Sequence, residues 1–254
     1  MRRIEVLFTP AEFLAAKKRD LAHTHCVVID VLRATSSMAT ALAHGAAAIL
    51  PVEEISDAMR LKDKDPDSLL AGERDGLRIS AKLTGGPDFD FGNSPREFLS
   101  EKVRGRTIIM TTTNGTRALR SCAHAAEVVI ASFVNFRTTA RFLKQSLAPG
   151  ADLLLVCGGT FEEAAYEDAL CAGAFVDFLA RSDSSVLADS ALLAQRLYRS
   201  ESDDITAALS RSHNGQRLLS RPELAEDVAF CATLDRFHVV GQSDAHGLIR
   251  CVAG

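Results

Sequence analysis

The chain has 254 residues, 47% of them hydrophobic and 24% charged, an ordinary globular composition long enough for one large α/β domain or two small ones. The net charge of −4 excludes a global positive field that would recruit nucleic acid or anionic lipid, and zero Trp with only 2 Tyr removes base-stacking platforms. No apolar run approaches the ~18 residues of a membrane span, and residues 1–6 turn polar too soon for a signal peptide. In chain order, residues 3–8 predict a first strand ahead of Pro10, and 11–19 a helix. CVVIDVL at 26–32 is apolar except for Asp30, the pattern of a strand buried on both faces of a parallel sheet. Arg33, Thr35 and an alanine-rich helix to His44 follow, closed by Gly45. Residues 47–52 predict a strand, 56–64 a helix, and 69–74 a short strand running into Glu73 and Arg74.

The stretch 75–95 is too long for a plain connection, and Phe89, Phe91 and Phe98 predict that it is ordered and packed. Its Gly92-Asn93-Ser94-Pro95 turn leads into a short helix at 96–99. TIIMTTTNGTRAL at 107–119 is the centre of the chain: a strand, then Thr111, Thr112, Thr113 and Asn114-Gly115, then a helical run carrying Arg117. Strand, hydroxyl-and-glycine turn and helix make a form that holds anions, through free backbone N–H groups, O–H donors and a planar guanidinium. Turn and cap chemistry selects the same residues, so this stretch also reads as a capped turn with a solvent-facing arginine. Residues 127–131 predict a strand and 136–146 a helix. The strand 152–156 ends in Cys157-Gly158-Gly159-Thr160, and Tyr166-Glu167-Asp168 lead a helix to Leu179. Residues 190–200 and 205–210 predict amphipathic helices, Asn214-Gly215 a turn or helix start before Arg217, and 226–232 a short strand or helix end. Strands at 237–241 and 248–252 close a single domain spanning 1–254.

Strands alternating with helices predict a mainly parallel sheet covered on both faces, with ligands bound where the strands' carboxyl ends share an edge. That edge would gather Asp30 with Arg33 and Thr35, Glu73 with Arg74, Thr111 to Asn114 with Arg117, and Gly158-Gly159 with Glu167 and Asp168. The Gly92–Pro95 turn, carrying Asn93 and Ser94, would fold over it. Carboxylates beside arginines can form a structural ion-pair network. Read functionally, Asp30, Glu73, Glu167 and Asp168 offer oxygen ligands to Mg²⁺, while arginines and the threonine turn hold the remaining anionic oxygens of a phosphate ester. Either a metal-bound water or a carboxylate could be the nucleophile. Cys157 lacks the arginine six residues on that a cysteine phosphatase loop needs, since that position is Glu163. GxxxxGK[ST] and GxGxxG are both absent. The seven histidines are scattered, with His23 and His25 ahead of a strand, His213 as a surface cap and His238 in a strand. The 6 cysteines contain no CxxC and sit in apolar runs, as buried free thiols do, so a reducing, cytoplasmic setting is expected.

VVIDVLRATSSMATALAHGA, GERDGLRI, FGNSPREF, TTTNGTRAL and CGGT…YEDALCAGA occur in that order. Together they resemble the 2-phosphosulfolactate phosphatase family, closely over residues 27–179 and more loosely through 213–219 and 226–235. The resemblance implies a three-layer α/β/α fold and a Mg²⁺-dependent phosphatase converting (R)-2-phospho-3-sulfolactate to 3-sulfolactate and phosphate, a step of coenzyme M biosynthesis. Several arginines and a hydroxyl-rich turn suit that substrate's phosphate, sulfonate and carboxylate. Two departures leave the substrate open: the loop at 80–87, SAKLTGGP, is lengthened, and 161–165, FEEAA, is an acidic version of a variable segment.

The resulting candidates are Asp30, Arg33, Glu73, Arg117 and Asp168 for catalysis, with Asp30, Glu73, Glu167 and Asp168 for the metal. Thr35, Arg74, Asn93, Ser94, Thr111, Thr112, Thr113, Asn114, Gly115, Gly158 and Gly159 are the candidates for substrate binding. The partner would be a small, multiply anionic phosphoester, with no nucleic acid or membrane, and a homodimer follows from base rate alone. Rival readings are a non-catalytic binder of an anionic metabolite, a phosphatase of another phosphorylated acid, and an isomerase or lyase using Mg²⁺.

Overall fold

The computed structural model of the chain describes residues 2–180 and 185–252; Met1, which heads the N-terminal run, lies outside them. The strands are β1 (Arg3–Leu7), β2 (Thr24–Ile29), β3 (Ala48–Pro51), β4 (Leu69–Arg74), β5 (Leu77–Arg78), β6 (Thr107–Thr111), β7 (Glu127–Ala131), β8 (Asp152–Cys157), β9 (Val186–Leu187), β10 (Val240–Ser243) and β11 (Ile249–Val252). Among the described residues they form one mixed sheet of 11 strands in the order β5-β4-β6-β3-β11-β10-β7-β2-β8-β1-β9.

The apolar runs explain the layers. Successive side chains of a strand point to opposite faces. Val27 and Ile29 of β2, with Leu153, Leu155 and Cys157 of β8, enter one core; Cys26, Val28, Leu154 and Val156 enter the other. The first core is covered by the helices Phe136–Ser146, Tyr166–Ala180 and Asp189–Glu201, through Phe136, Leu143, Phe175 and Ala194. The second is covered by Pro10–Ala16, Ala34–Ala43 and Gly115–Ser121, through Phe13, Met38, Leu42 and Leu119. Both faces of the sheet are thus filled, which gives the three-layer α/β/α arrangement. Each fully buried Leu or Val contributes about 1.5–3 kcal/mol relative to exposure.

One expectation is corrected by the strand directions. β7, β2, β8, β1 and β9 run parallel, and so do β4, β6 and β3, but the two blocks are joined through the antiparallel hairpin β10–β11. The blocks therefore run in opposite senses along the sheet, and their carboxyl ends share no single edge by topology. Strand twist of about 20° per step, summed over the five steps from β2 to β6, turns one block by roughly 100° relative to the other. The loops do the rest.

Local differences are smaller. Residues 225–232 are a helix, Ala225–Ala232, rather than a strand. The stretch after Arg74 contains β5 and a helical turn, Ala81–Thr84. Phe237 and His238 precede β10 instead of belonging to a strand, because Phe237 packs edge-on against His44, 5.6 Å between ring centroids. His25 lies within β2, with its Nδ1 2.6 Å from Glu127 Oε2. Cys251 is exposed on β11, whereas the other five thiols are buried. Among the described residues no helix is long and apolar enough to cross a membrane.

Candidate active site

Asp30 follows β2 and caps the helix Ala34–Ala43 from four residues away: its Oδ1 accepts the Ala34 N–H at 2.9 Å. Thr35 locks that corner, its hydroxyl donating to the Asp30 and Ala131 carbonyls at 2.9 and 2.7 Å. The other oxygen, Oδ2, faces two glycines. A Cβ on Gly115 would lie 2.6 Å from it and one on Gly158 3.0 Å, so only glycine at these positions lets β6 and β8 close on the carboxylate. Burial, then the neighbouring Glu73 and Glu167 carboxylates, raise the Asp30 pKa to about 7 against the pull of the Ala34 N–H and Arg33.

Glu73 stands near the end of β4 and binds the turn that follows its neighbour β6. Its Oε1 accepts the Thr113 N–H and hydroxyl at 2.8 and 2.9 Å, and its Oε2 accepts the Gly76 N–H at 2.7 Å. Gly76 in turn accepts from Arg33 Nη2 at 2.8 Å, while Arg33 Nη1 is ion-paired with Asp227 at 2.7 Å. Asp227 is fully buried and also accepts from the Ser94 hydroxyl and Arg96 Nε at 2.6 and 2.8 Å. This carboxylate therefore ties the Gly92–Pro95 turn to the arginine that follows β2.

The threonine turn is held internally and from outside. The Thr112 and Thr116 hydroxyls accept each other's backbone N–H at 3.3 and 3.4 Å, closing the start of the helix Gly115–Ser121. Asn114 Nδ2 donates to the Phe161 carbonyl at 2.9 Å. Thr111 and Arg74 turn away, both bonding to the Glu53 carbonyl. Arg117 contacts Asn114 Oδ1 and Glu162 Oε1, each at 3.3 Å.

Glu167 and Asp168 open the helix Tyr166–Ala180 in buried positions. Asp168 accepts the Val31 N–H at 2.8 Å and the Gly159 N–H at 3.1 Å, which fixes the Gly158-Gly159 turn against the end of β2. Burial, then Glu167 and Asp30, push its carboxyl well up. Glu167 Oε1 accepts from Asn214 at 2.8 Å, whereas its buried Oε2 has no protein partner. Burial also raises the Glu167 pKa. Cys157 is buried beneath this corner with its thiol pushed well up, first by burial, which keeps it protonated and unsuited to attack.

These groups surround a cleft of about 650 Å³, counting its open mouth. It brings together Asp30, Arg33, Glu73, Asn93, Thr112, Thr113, Asn114 and Gly159 from the sequence-derived set. Thr35, Arg74, Ser94, Thr111, Gly115, Arg117, Gly158, Glu167 and Asp168 stand behind or beside its wall. Thr160, Phe161, Asn214, Arg217 and Arg221 also line it, and strand-end reasoning does not reach them. Three of those five lie on or just after the polar helix His213–Leu219, signalled in the sequence by the Asn214-Gly215 turn or helix start and by the looser part of the family resemblance. The lengthened loop at 80–87 lies outside the lining; its Gly86 sits near Met59.

Among the described residues no three His, Cys, Asp or Glu side chains form a ready metal cage. Mg²⁺ rarely takes one: it uses one or two carboxylates, waters and substrate oxygens. The buried Asp30 carboxyl, raised first by burial and then by Glu73 and Glu167, and the unpartnered Glu167 Oε2 are both features that a hard cation would relieve, so the donor set fits the ion.

The profile of the family described as 2-phosphosulpholactate phosphatase matches residues 9–245. A protein of Caldicellulosiruptor saccharolyticus named probable 2-phosphosulfolactate phosphatase is 40% identical over 218 residues, 85% of this chain and 87% of that one. Its counterpart of the same name from Caldanaerobacter subterraneus is 38% identical over 234 residues, 91% of this chain and 92% of the other. The one from Thermotoga maritima is 39% identical over 214 residues, covering 84% and 86%.

Proposed function

This chain belongs to the 2-phosphosulpholactate phosphatase family, and from that premise we propose that it hydrolyses (R)-2-phospho-3-sulfolactate to 3-sulfolactate and phosphate with Mg²⁺ as cofactor. The observation that carries this reading is one cleft lined by carboxylates together with guanidinium, hydroxyl and amide donors. Phosphate monoesters are cleaved chiefly by positioning and by neutralising oxygen charge, which this distribution serves.

Asp30 and Glu167, each with an oxygen free of protein donors or aimed at the cleft's glycine gap, would hold the ion, with Glu73 beside them. When bound, Mg²⁺ supplies Lewis-acid neutralisation of the phosphoryl oxygens. Glu73 aims Thr113 by holding both its N–H and its hydroxyl. Arg33, oriented by Asp227 and Gly76, directs its charge to the same space. Asn93, whose buried Oδ1 lacks a protein partner, adds an acceptor that would orient a water. The organic product would enter coenzyme M biosynthesis, and a cytoplasmic location agrees with five buried free thiols.

Free phosphate released from 2-phosphosulfolactate, followed with Mg²⁺ and with EDTA, tests the reading. We expect release with the metal and a drop of at least a hundredfold on chelation. Release that ignores EDTA removes the metal, and no release removes the substrate.

A further inference from the structure

Three of the arginines in and around the cleft are already neutralised. Arg33 pairs with Asp227, Arg117 with Glu162, and Arg96 with Glu226 and Asp227. Arg217 and Arg221 differ. Both line the cleft, and among the described residues neither forms an ion pair with a carboxylate. Arg217 Nη1 reaches only the Asn214 amide oxygen, at 3.4 Å, and its guanidinium lies 5.0 Å from the Phe161 ring centroid. Arg221 Nη1 donates to the Asp75 carbonyl at 3.0 Å. Arg217 lies on the helix His213–Leu219 and Arg221 two residues past its end, and both face the cleft.

The backbone of Phe161 sharpens the point. Its φ of 53° is in the left-handed region, which a bulky side chain rarely adopts, and strain of that kind gathers at ligand-holding positions. The turn is pinned by Asn114, which donates to the Phe161 carbonyl, and by mutual backbone bonds between Thr160 and Glu163 at 2.9 Å. The result is an aromatic face fixed against the Arg217 guanidinium, which holds the charge in place without cancelling it.

Resting on the phosphatase reading above, we propose that Arg217 and Arg221 form a second anion subsite that binds the oxyanion carried by the organic part of the substrate, apart from the phosphoryl position. Asp30 and Glu73 in the lining, with Glu167 behind it, would take the metal, and Arg33 and Thr113 the phosphoryl group. The two guanidinium groups left without a carboxylate partner make the cleft selective for esters whose carbon skeleton is itself charged. Phosphate esters of neutral alcohols leave both charges unanswered and are poor substrates.

The test compares three esters in Mg²⁺: 2-phosphosulfolactate, 2-phospholactate, which lacks the sulfonate, and isopropyl phosphate, which lacks both charges. Arg217→Ala, Arg221→Ala and the double variant are measured against the native protein, with melting temperature as a folding control. Charge-assisted hydrogen bonds predict a loss in kcat/KM of about ten- to a hundredfold per arginine on 2-phosphosulfolactate, mostly in KM. The loss on isopropyl phosphate should be at least tenfold smaller, so selectivity collapses, and Arg→Lys variants should recover part of it. A change on 2-phospholactate as large as on the full substrate assigns the carboxylate to the subsite; a smaller change assigns the sulfonate. Equal losses on all three esters overturn the proposal. Should the native protein release no phosphate, the phosphatase reading fails by itself. The subsite is then judged by calorimetric binding of 3-sulfolactate, which must weaken at least tenfold in the double variant, and unchanged binding overturns it.

Discussion

Asp227 shows how much of the cleft depends on residues that never touch it. One buried carboxylate takes donors from Arg33, Ser94 and Arg96, drawn from two distant loops. Asp227→Asn removes the counter-charge of a buried arginine, and breaking such a pair costs about 3–5 kcal/mol. We expect that loss in chemical denaturation, with kcat reduced at least tenfold because Arg33 is no longer aimed. Asp30 works in the opposite direction. Its pKa rises from 3.8 to about 7 on folding, so between those values the folded protein binds the proton more tightly than the unfolded chain. Metal-free stability should therefore fall as pH rises from about 4 to about 7, by a few kcal/mol at most. Asp30→Asn should abolish phosphate release, melt higher than the native protein at pH 8 in EDTA, and lack the melting shift that the proposed Mg²⁺ site predicts for the native protein. A native melting curve flat with pH in EDTA would contradict this. Asp30, Glu73 and the threonine turn were legible in the sequence because each sits where a strand stops. Arg217 and Arg221 were not, since charges on a short polar helix look like any solvated face.

At the scale of elements, the starts of the helices Ala34–Ala43 and Gly115–Ser121 meet at Asp30. A Cβ on Gly115 would fall 2.7 Å from the Ala34 Cβ as well as 2.6 Å from Asp30 Oδ2. Gly115→Ala must push the two helices apart, and overpacking of this kind costs about 1–3 kcal/mol. We expect a lower melting temperature and a larger loss of kcat than of stability, since the carboxylate itself is displaced; phosphate-release assays beside thermal melts check it. The strands β2 and β8 were readable because their runs are apolar on both faces. The helix Ala225–Ala232 was ambiguous because its short window mixes Glu226 and Asp227 with apolar residues, and only the buried partners of Asp227 decide its form. Phe237 suggested a strand, yet its ring is used to pack against His44 and Phe230 in a loop.

For the whole molecule, alternation of strands and helices revealed the layers but not the sense in which the strands run. Insertion of β10–β11 between β3 and β7 depends on contacts between the last residues and segments far earlier in the chain, such as Ile249 with Ile49 and Gly241 with Ile130. Gly241 is close-packed there: a Cβ would lie 2.6 Å from Ile130 Cγ1 and 2.8 Å from Leu42 Cδ1. Gly241→Val should loosen the junction of the two blocks and reduce activity although the site lies elsewhere, with a melting transition that broadens or splits. A single sharp transition with full activity would show that the hairpin does not couple them.

The order of synthesis gives that junction a further meaning. Asp30 and Glu73 emerge from the ribosome well before the strands that knit their blocks together. A nascent polypeptide stalled before residue 240 would hold every acidic group of the cleft and still lack the hairpin that joins its two blocks.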